Sequence, residues 1–204
     1  MKKLIHIAGI IVTLMLSLII FTGCTTKEEN EVVEKKTYDY SSEVINTSEN
    51  STEYKYNKLY FSLPNTYEET ESDSREAVIY SQEVIDDVKK RFSVGIFNAD
   101  DKDFMKDALE ALKTYEFKLL GYKAFSRKDP IEVEYNGMKV ISVDVKYDSP
   151  NIDGDAEIEY CFVQNEDTVY VIYFEMFAQN GKRVENFNFA EAFNDIKSSL
   201  KFED

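Results

Sequence analysis

Few side chains in this sequence are equipped for chemistry, and their types limit what that chemistry can be. His6 is the only histidine, Cys24 and Cys161 are the only cysteines, and tryptophan is absent. An imidazole general base, a Ser–His–Asp triad and a histidine metal site therefore all depend on position 6. Asn151, Asp153, Asp155, Glu157 and Glu159 set oxygen donors at alternate positions around Gly154, a pattern that suits a hard cation such as Ca²⁺. The glycine and the closing bidentate glutamate of a twelve-residue EF-hand loop are out of register, however. The expectation is a polar hairpin turn leading into a strand with its acids on the wetter face. No metal is expected; Asp153, Asp155 and Glu157 are the set that would hold one. Ser198 and Ser199 stand beside Lys197 and Lys201, the parts of a Ser–Lys pair, but nothing strains a nucleophile there, and they read as solvent-facing helix residues. Cys161 reads as a small buried hydrophobe. Tyr160, Tyr170 and Tyr173 have the amphipathic character of a pocket floor, yet suit a core with hydroxyls at its rim. No catalytic residue and no cofactor is expected, so the chain does not read as an enzyme.

Charge narrows the partners. Of 204 residues, 39 are acidic and 24 basic, a net charge of −15, which argues against a nucleic-acid binder. With 43% hydrophobic and 14% aromatic residues, the chain has the material for one domain with a real core. Its start is different in kind. Lys2 and Lys3 precede an apolar run from Leu4 to Phe21, broken only by His6, Thr13 and Ser17, and Phe21-Thr22-Gly23-Cys24 follows. A basic start, an apolar stretch and a small residue before a cleavage point make a secretory leader. The last four residues resemble the bacterial lipobox, with phenylalanine at 21 where leucine is usual. The resemblance implies cleavage before Cys24 and lipidation of its thiol. The rival reading is an uncleaved membrane helix. Either leaves the remainder on the extracytoplasmic side, with Lys2 and Lys3 inside. Cleavage would remove His6, and lipidation would occupy Cys24, leaving Cys161 with no partner for a disulfide.

Residues 24–57 read as the lipidated cysteine and a disordered acidic tether. Glu28, Glu29, Glu31, Glu34, Asp39, Glu43, Glu49 and Glu53 alternate with Thr, Ser and Asn, too little apolar surface to offset the entropy of folding. Tyr38, Tyr40, Tyr54 and Tyr56 leave room for a transient docking segment. The domain is expected over 58–204. Leu59, Phe61 and Leu63 alternate up to Pro64, and 77–80 and 92–97 are the next strand candidates. Asp100 or Asp101 suits a helix cap, with Phe104, Ala108, Leu112, Tyr115 and Leu119 along the helix and Gly121 as its stop. Strands follow over 131–135, 139–147, 156–163 and 168–178. A last helix starts after Asn186 or Asn188, with Phe189, Phe193, Ile196 and Leu200 on one face. The charged run Asp86-Asp87-Val88-Lys89-Lys90-Arg91 reads as a solvated loop.

Two hairpins carry register. Asn136-Gly137 is a turn signal; a two-residue loop pairs Val133 with Val140, whereas a three-residue bulged loop gathers the apolar residues on one face and is favoured. A turn at Glu166-Asp167 pairs Cys161 with Ile172 and Phe162 with Val171. Strand 168–178 is apolar on both faces, so it belongs at the centre of its sheet.

This order, βββ-α-ββββ-α, is an α+β fold with a central antiparallel sheet of about six to seven strands flanked by helices. With Tyr60-Phe61-Ser62-Leu63-Pro64, Tyr135-Asn136-Gly137-Met138 and the stretch from Phe193 to Phe202, it resembles the PsbP-like superfamily. That group includes photosystem PsbP proteins, Mog-type Ran-binding proteins and DcrB-like bacterial lipoproteins. The family often has tryptophan where this chain has Tyr67, and it shares no catalytic residues to carry over. The resemblance implies a non-catalytic binding or accessory role. The expectation is thus a lipid-anchored lipoprotein on the outer side of the cell membrane, acting as a binding module for an envelope protein partner. The alternative is a small-ligand or ion receptor that serves a transporter.

Overall fold

The computed structural model describes residues 40–70, 77–98, 123–148, 154–166 and 168–203. The described residues form two antiparallel sheets. The smaller has the order β1-β2-β3-β12, from Glu43–Thr47, Ser51–Tyr56, Leu59–Pro64 and Lys201–Phe202. The larger runs β4-β5-β6-β11-β10-β9-β7, from Tyr67–Thr70, Ala77–Gln82, Val88–Asn98, Thr168–Ala178, Asp155–Asn165, Met138–Asp148 and Lys123–Arg127. Strand β8, Ile131–Tyr135, pairs with the other end of β9. Two short helices close the chain, α1 over Phe189–Ala192 and α2 over Asn194–Ser199. The antiparallel α+β architecture is the expected one, but it comes as two sheets with few helices among the described residues, not as a single central sheet. The helix expected between Asp100 and Gly121 lies outside the described residues, as do the leader and Cys24.

The pattern of strand 168–178 is borne out. β11 lies between β6 and β10, with Tyr170, Ile172, Phe174 and Met176 buried on one face and Val169 and Val171 on the other. Its pairing with β10 sets Cys161 opposite Ile172 and Phe162 opposite Val171, the register that the sequence implies. Each apolar side chain sealed this fully contributes about 1.5–3 kcal/mol. The two faces feed two clusters. One gathers Phe61, Phe92, Ile172, Phe174, Phe193 and Leu200, and the other Val143, Tyr147, Tyr160, Phe162 and Val171.

Three expectations need correction. Residues 43–56, assigned to a tether by composition, form β1 and β2. Tyr56 is fully buried, Tyr54 stacks on Phe61 at 5.5 Å and meets Tyr80 at 4.8 Å, and Tyr40 packs against the same core. Tyrosine is what the polar composition conceals: it buries a ring from a strand whose other positions remain polar. The Asn136-Gly137 loop has two residues, both at positive φ, and pairs Tyr135 with Met138 and Val133 with Val140. The bulged loop is expected only if the apolar residues must share one face. No such constraint exists, because Val140 is buried on one side of the sheet and Val143 and Val145 on the other. Finally, Asp86-Asp87 is a tight turn with both residues at positive φ, and Lys89-Lys90-Arg91 belongs to β6. Arg91 there pairs with Glu175 directly across the ladder, Nη2 to Oε1 at 2.6 Å, and lies over the Phe177 ring.

The terminal helix keeps its apolar face in two pieces. Asn188 accepts from the Glu191 N–H at 3.3 Å and caps α1. Phe193 breaks the helical path, yet Phe189, Phe193, Ile196 and Leu200 are all buried, with Phe193 against Phe174 at 5.4 Å. Gly154, directly before β10, is fixed by backbone proximity. A Cβ on Gly154 would lie 2.0 Å from the Ala178 carbonyl oxygen, so only glycine fits.

Candidate functional site

Alternation along β10 decides what its acids do. Asp155, Glu157, Glu159 and Cys161 share one face, and all four are buried. The expectation that these acids line a wetter face is therefore corrected. A carboxylate can be buried only when paired and hydrogen-bonded, and each has its pairing. Asp155 accepts the Val184 N–H at 2.7 Å, with Arg183 at 3.9 Å. Lys146, its Cα partner across the ladder, stands 3.3 Å from Glu157. Asp153, the third member of the candidate calcium set, lies outside the described residues. Among the described residues, no group of His, Cys, Asp and Glu is assembled to hold a metal ion.

Glu159 is the centre of the most elaborate polar cluster. Its Oε1 accepts from the Tyr135 hydroxyl, from Ser142 Oγ at 2.7 Å and from the Cys161 thiol at 3.6 Å. Its Oε2 takes the Lys197 ammonium from α2. Lys197 Nζ is itself boxed by aromatic rings, 4.9 Å from Phe174, 5.3 Å from Tyr135 and 5.8 Å from Phe189. Three elements are tied at this point: β8 through Tyr135, β9 through Ser142, and α2 through Lys197. The β8–β9 turn adds a second tie, from Asn136 Nδ2 to the Leu200 carbonyl at 3.1 Å.

Electrostatics fix the protonation states. Burial pushes the Glu159 carboxyl up, but the Lys197 charge and the bonds from Lys197, Tyr135 and Ser142 outweigh it and hold the group below its ordinary range. Burial, reinforced by the nearby Glu159 charge, pushes the Cys161 thiol well up, so it stays protonated and lacks the thiolate that a nucleophile needs. Burial likewise raises the Tyr135 hydroxyl. The carboxylate is thus ionised and fully engaged, the lysine is capped by it, and the thiol is inert. This cluster joins elements together; it presents no free acid, base or nucleophile.

The sequence reading missed it by treating Lys197 and Ser199 as solvent-facing. Lys197 points inward, and Ser199 Oγ accepts the Ser62 N–H at 2.8 Å, joining α2 to β3; Ser198 is exposed as expected. The tyrosines are core residues. Tyr147 and Tyr160 share a hydroxyl–hydroxyl bond at 2.9 Å, and Tyr170 accepts from the Lys58 N–H at 3.3 Å. Among the described residues one buried side-chain polar group is left over: the Tyr67 hydroxyl has no described hydrogen-bond partner.

Large apolar side chains are exposed at Val44 and Ile45 on β1, Val84 and Ile85 before the Asp86-Asp87 turn, and Ile131 on β8. No helix among the described residues is long and apolar enough to cross a membrane.

No model of a known protein family matches the sequence, and no curated protein matches it. Solved structures do. The Saccharomyces cerevisiae Ran-binding protein Mog1p is similar at 13% identity with a TM-score of 0.50, over 76% of this chain and 96% of that one. LpqN, involved in cell envelope biogenesis of Mycobacterium tuberculosis, is similar at 12% identity and a TM-score of 0.45, over 80% of this chain and 91% of that one. A Bacteroides thetaiotaomicron protein is similar at 12% identity and a TM-score of 0.44, over 72% of this chain; the chain spans only 45% of its length. At 13% identity the likeness to Mog1p is one of fold alone.

Proposed function

We propose that the protein is a lipid-anchored extracytoplasmic lipoprotein whose domain is a non-enzymatic binding or accessory module of the cell envelope. The observation that carries the binding half is an inversion of the usual active-site arrangement. Reactive groups are inside and mutually engaged, in Glu159, Lys197 and Cys161, while aliphatic side chains stand outside on β1 and at the β5–β6 turn. The Mog1p-like fold supports this reading, since Mog1p is a Ran-binding protein. The anchoring half rests on Lys2, Lys3, the apolar run to Phe21 and Cys24. A diacylated or triacylated cysteine gives stable retention where one chain would not. Anchoring concentrates the domain next to membrane partners.

Two experiments test the halves separately. Radioactive palmitate should label the native protein and not Cys24→Ala; equal labelling and processing of both would end the anchoring claim. Cross-linking pull-down from native membranes should recover a protein partner with the intact lipoprotein and lose it with the secreted Cys24→Ala form.

A further inference from the structure

The geometry points to the outer edge of β1 as a strand-addition site for an extended, aliphatic and basic segment of a partner protein. β1 is the last strand of its sheet, paired on one side with β2 and on the other with none of the described strands. All five of its residues are exposed, Val44 at 58% and Ile45 at 43%. Open edges are ordinarily guarded by lysine, proline or shortness. β1 has neither lysine nor proline; its guards are Glu43 and a register shift between Val44 and Asn46.

The edge is also held ready. Ahead of it, Ser42 Oγ accepts from the Tyr80 hydroxyl at 2.5 Å and donates to Glu69 at 3.5 Å. Behind it, Asn65 Nδ2 donates to the Ser48 and Glu49 carbonyls, both at 3.0 Å, and Ser48 Oγ accepts the Ser51 N–H at 3.1 Å. A strand fixed at both ends, with no described strand on its outer ladder groups, pays little ordering entropy when another strand joins it. The backbone pattern requires an extended occupant, and Val44 and Ile45 call for aliphatic side chains. Exposed Glu43 and Glu49, on a chain of net charge −15, call for basic ones. The same charge disfavours a second copy of this chain.

This assignment rests on the binding-module reading but is tested apart from it. The probe is a blocked seven-residue peptide of alternating lysine and valine, added to the full chain in detergent micelles, with hydrogen exchange followed at residues 43–47. The expected result is slowed exchange there, with affinity that falls as salt rises. The same peptide N-methylated at alternate residues, which cannot complete a ladder, should bind about tenfold or more weakly. Val44→Lys in the full chain should weaken the unmodified peptide likewise. Unchanged exchange at 43–47, equal binding of the methylated peptide, or protection that depends on protein concentration without peptide would each overturn the proposal. If Val44→Lys still recovers its partner in the membrane pull-down, the edge is excluded and the binding module stands.

Discussion

The dipeptide valine-isoleucine recurs along the strands, and two of its copies, Val44-Ile45 in β1 and Val171-Ile172 in β11, have opposite fates. The first pair is 58% and 43% exposed, the second 2% and 0%. Side-chain type is identical, so neighbours make the difference. β11 has β6 and β10 on its flanks and a hydrophobic cluster on each face, whereas β1 has β2 and nothing beyond it among the described strands. The molecule thus has a sealed region, centred on β10, β11 and α2, and an open one at β1. Stability resides in the first. The second is where the proposed recognition would take place.

The sealed region should break hardest at Lys197. Lys197→Met leaves Glu159 buried without its counter-charge and should cost about 3–5 kcal/mol in urea unfolding. Adding Glu159→Gln should recover most of that loss, because the uncompensated charge is what destabilises. The pH dependence has a definite sign. Glu159 is held below its ordinary value when folded, so its contribution is complete above the unfolded-state pKa and is lost as pH falls through the folded-state one. Unfolding midpoints of the native protein should therefore drop faster on acidification than those of Glu159→Gln.

Next in size is the comparison itself. Ile172→Ala should cost about 2–5 kcal/mol through the cavity it leaves, while Ile45→Ala should stay within about 0.5 kcal/mol. Equal losses would mean that β1 is packed after all. Tyr67→Phe should raise stability by about 1 kcal/mol, because it removes a buried hydroxyl that no described residue satisfies. A loss there would reveal a bond to that hydroxyl.

Legibility in the sequence follows the same division. The β10–β11 register could be read because a short turn and two faces of alternating apolar residues permit a single pairing. The face of the last helix could be read too, since Phe189, Phe193, Ile196 and Leu200 keep their spacing across the break at Phe193. β1 and β2 could not be, because Ser, Thr, Glu and Asn dominate them, and their burial rests on tyrosines that meet Phe61 and Tyr80 only in the fold. The Glu159 cluster was hidden for a different reason. Its lysine is 38 residues away along the chain, and no local pattern marks that pairing. One clue was available: alternation puts Glu159 on the face of Cys161, and a buried acid requires a cation.

Amide hydrogen exchange of the full chain without ligand tests the sealed-and-open division most directly. Amides of β11 should exchange only through global unfolding, and those of β1 through local opening, orders of magnitude faster. Protection of residues 43–47 equal to that of 168–178 would contradict it, since the β1 edge would then be occupied already.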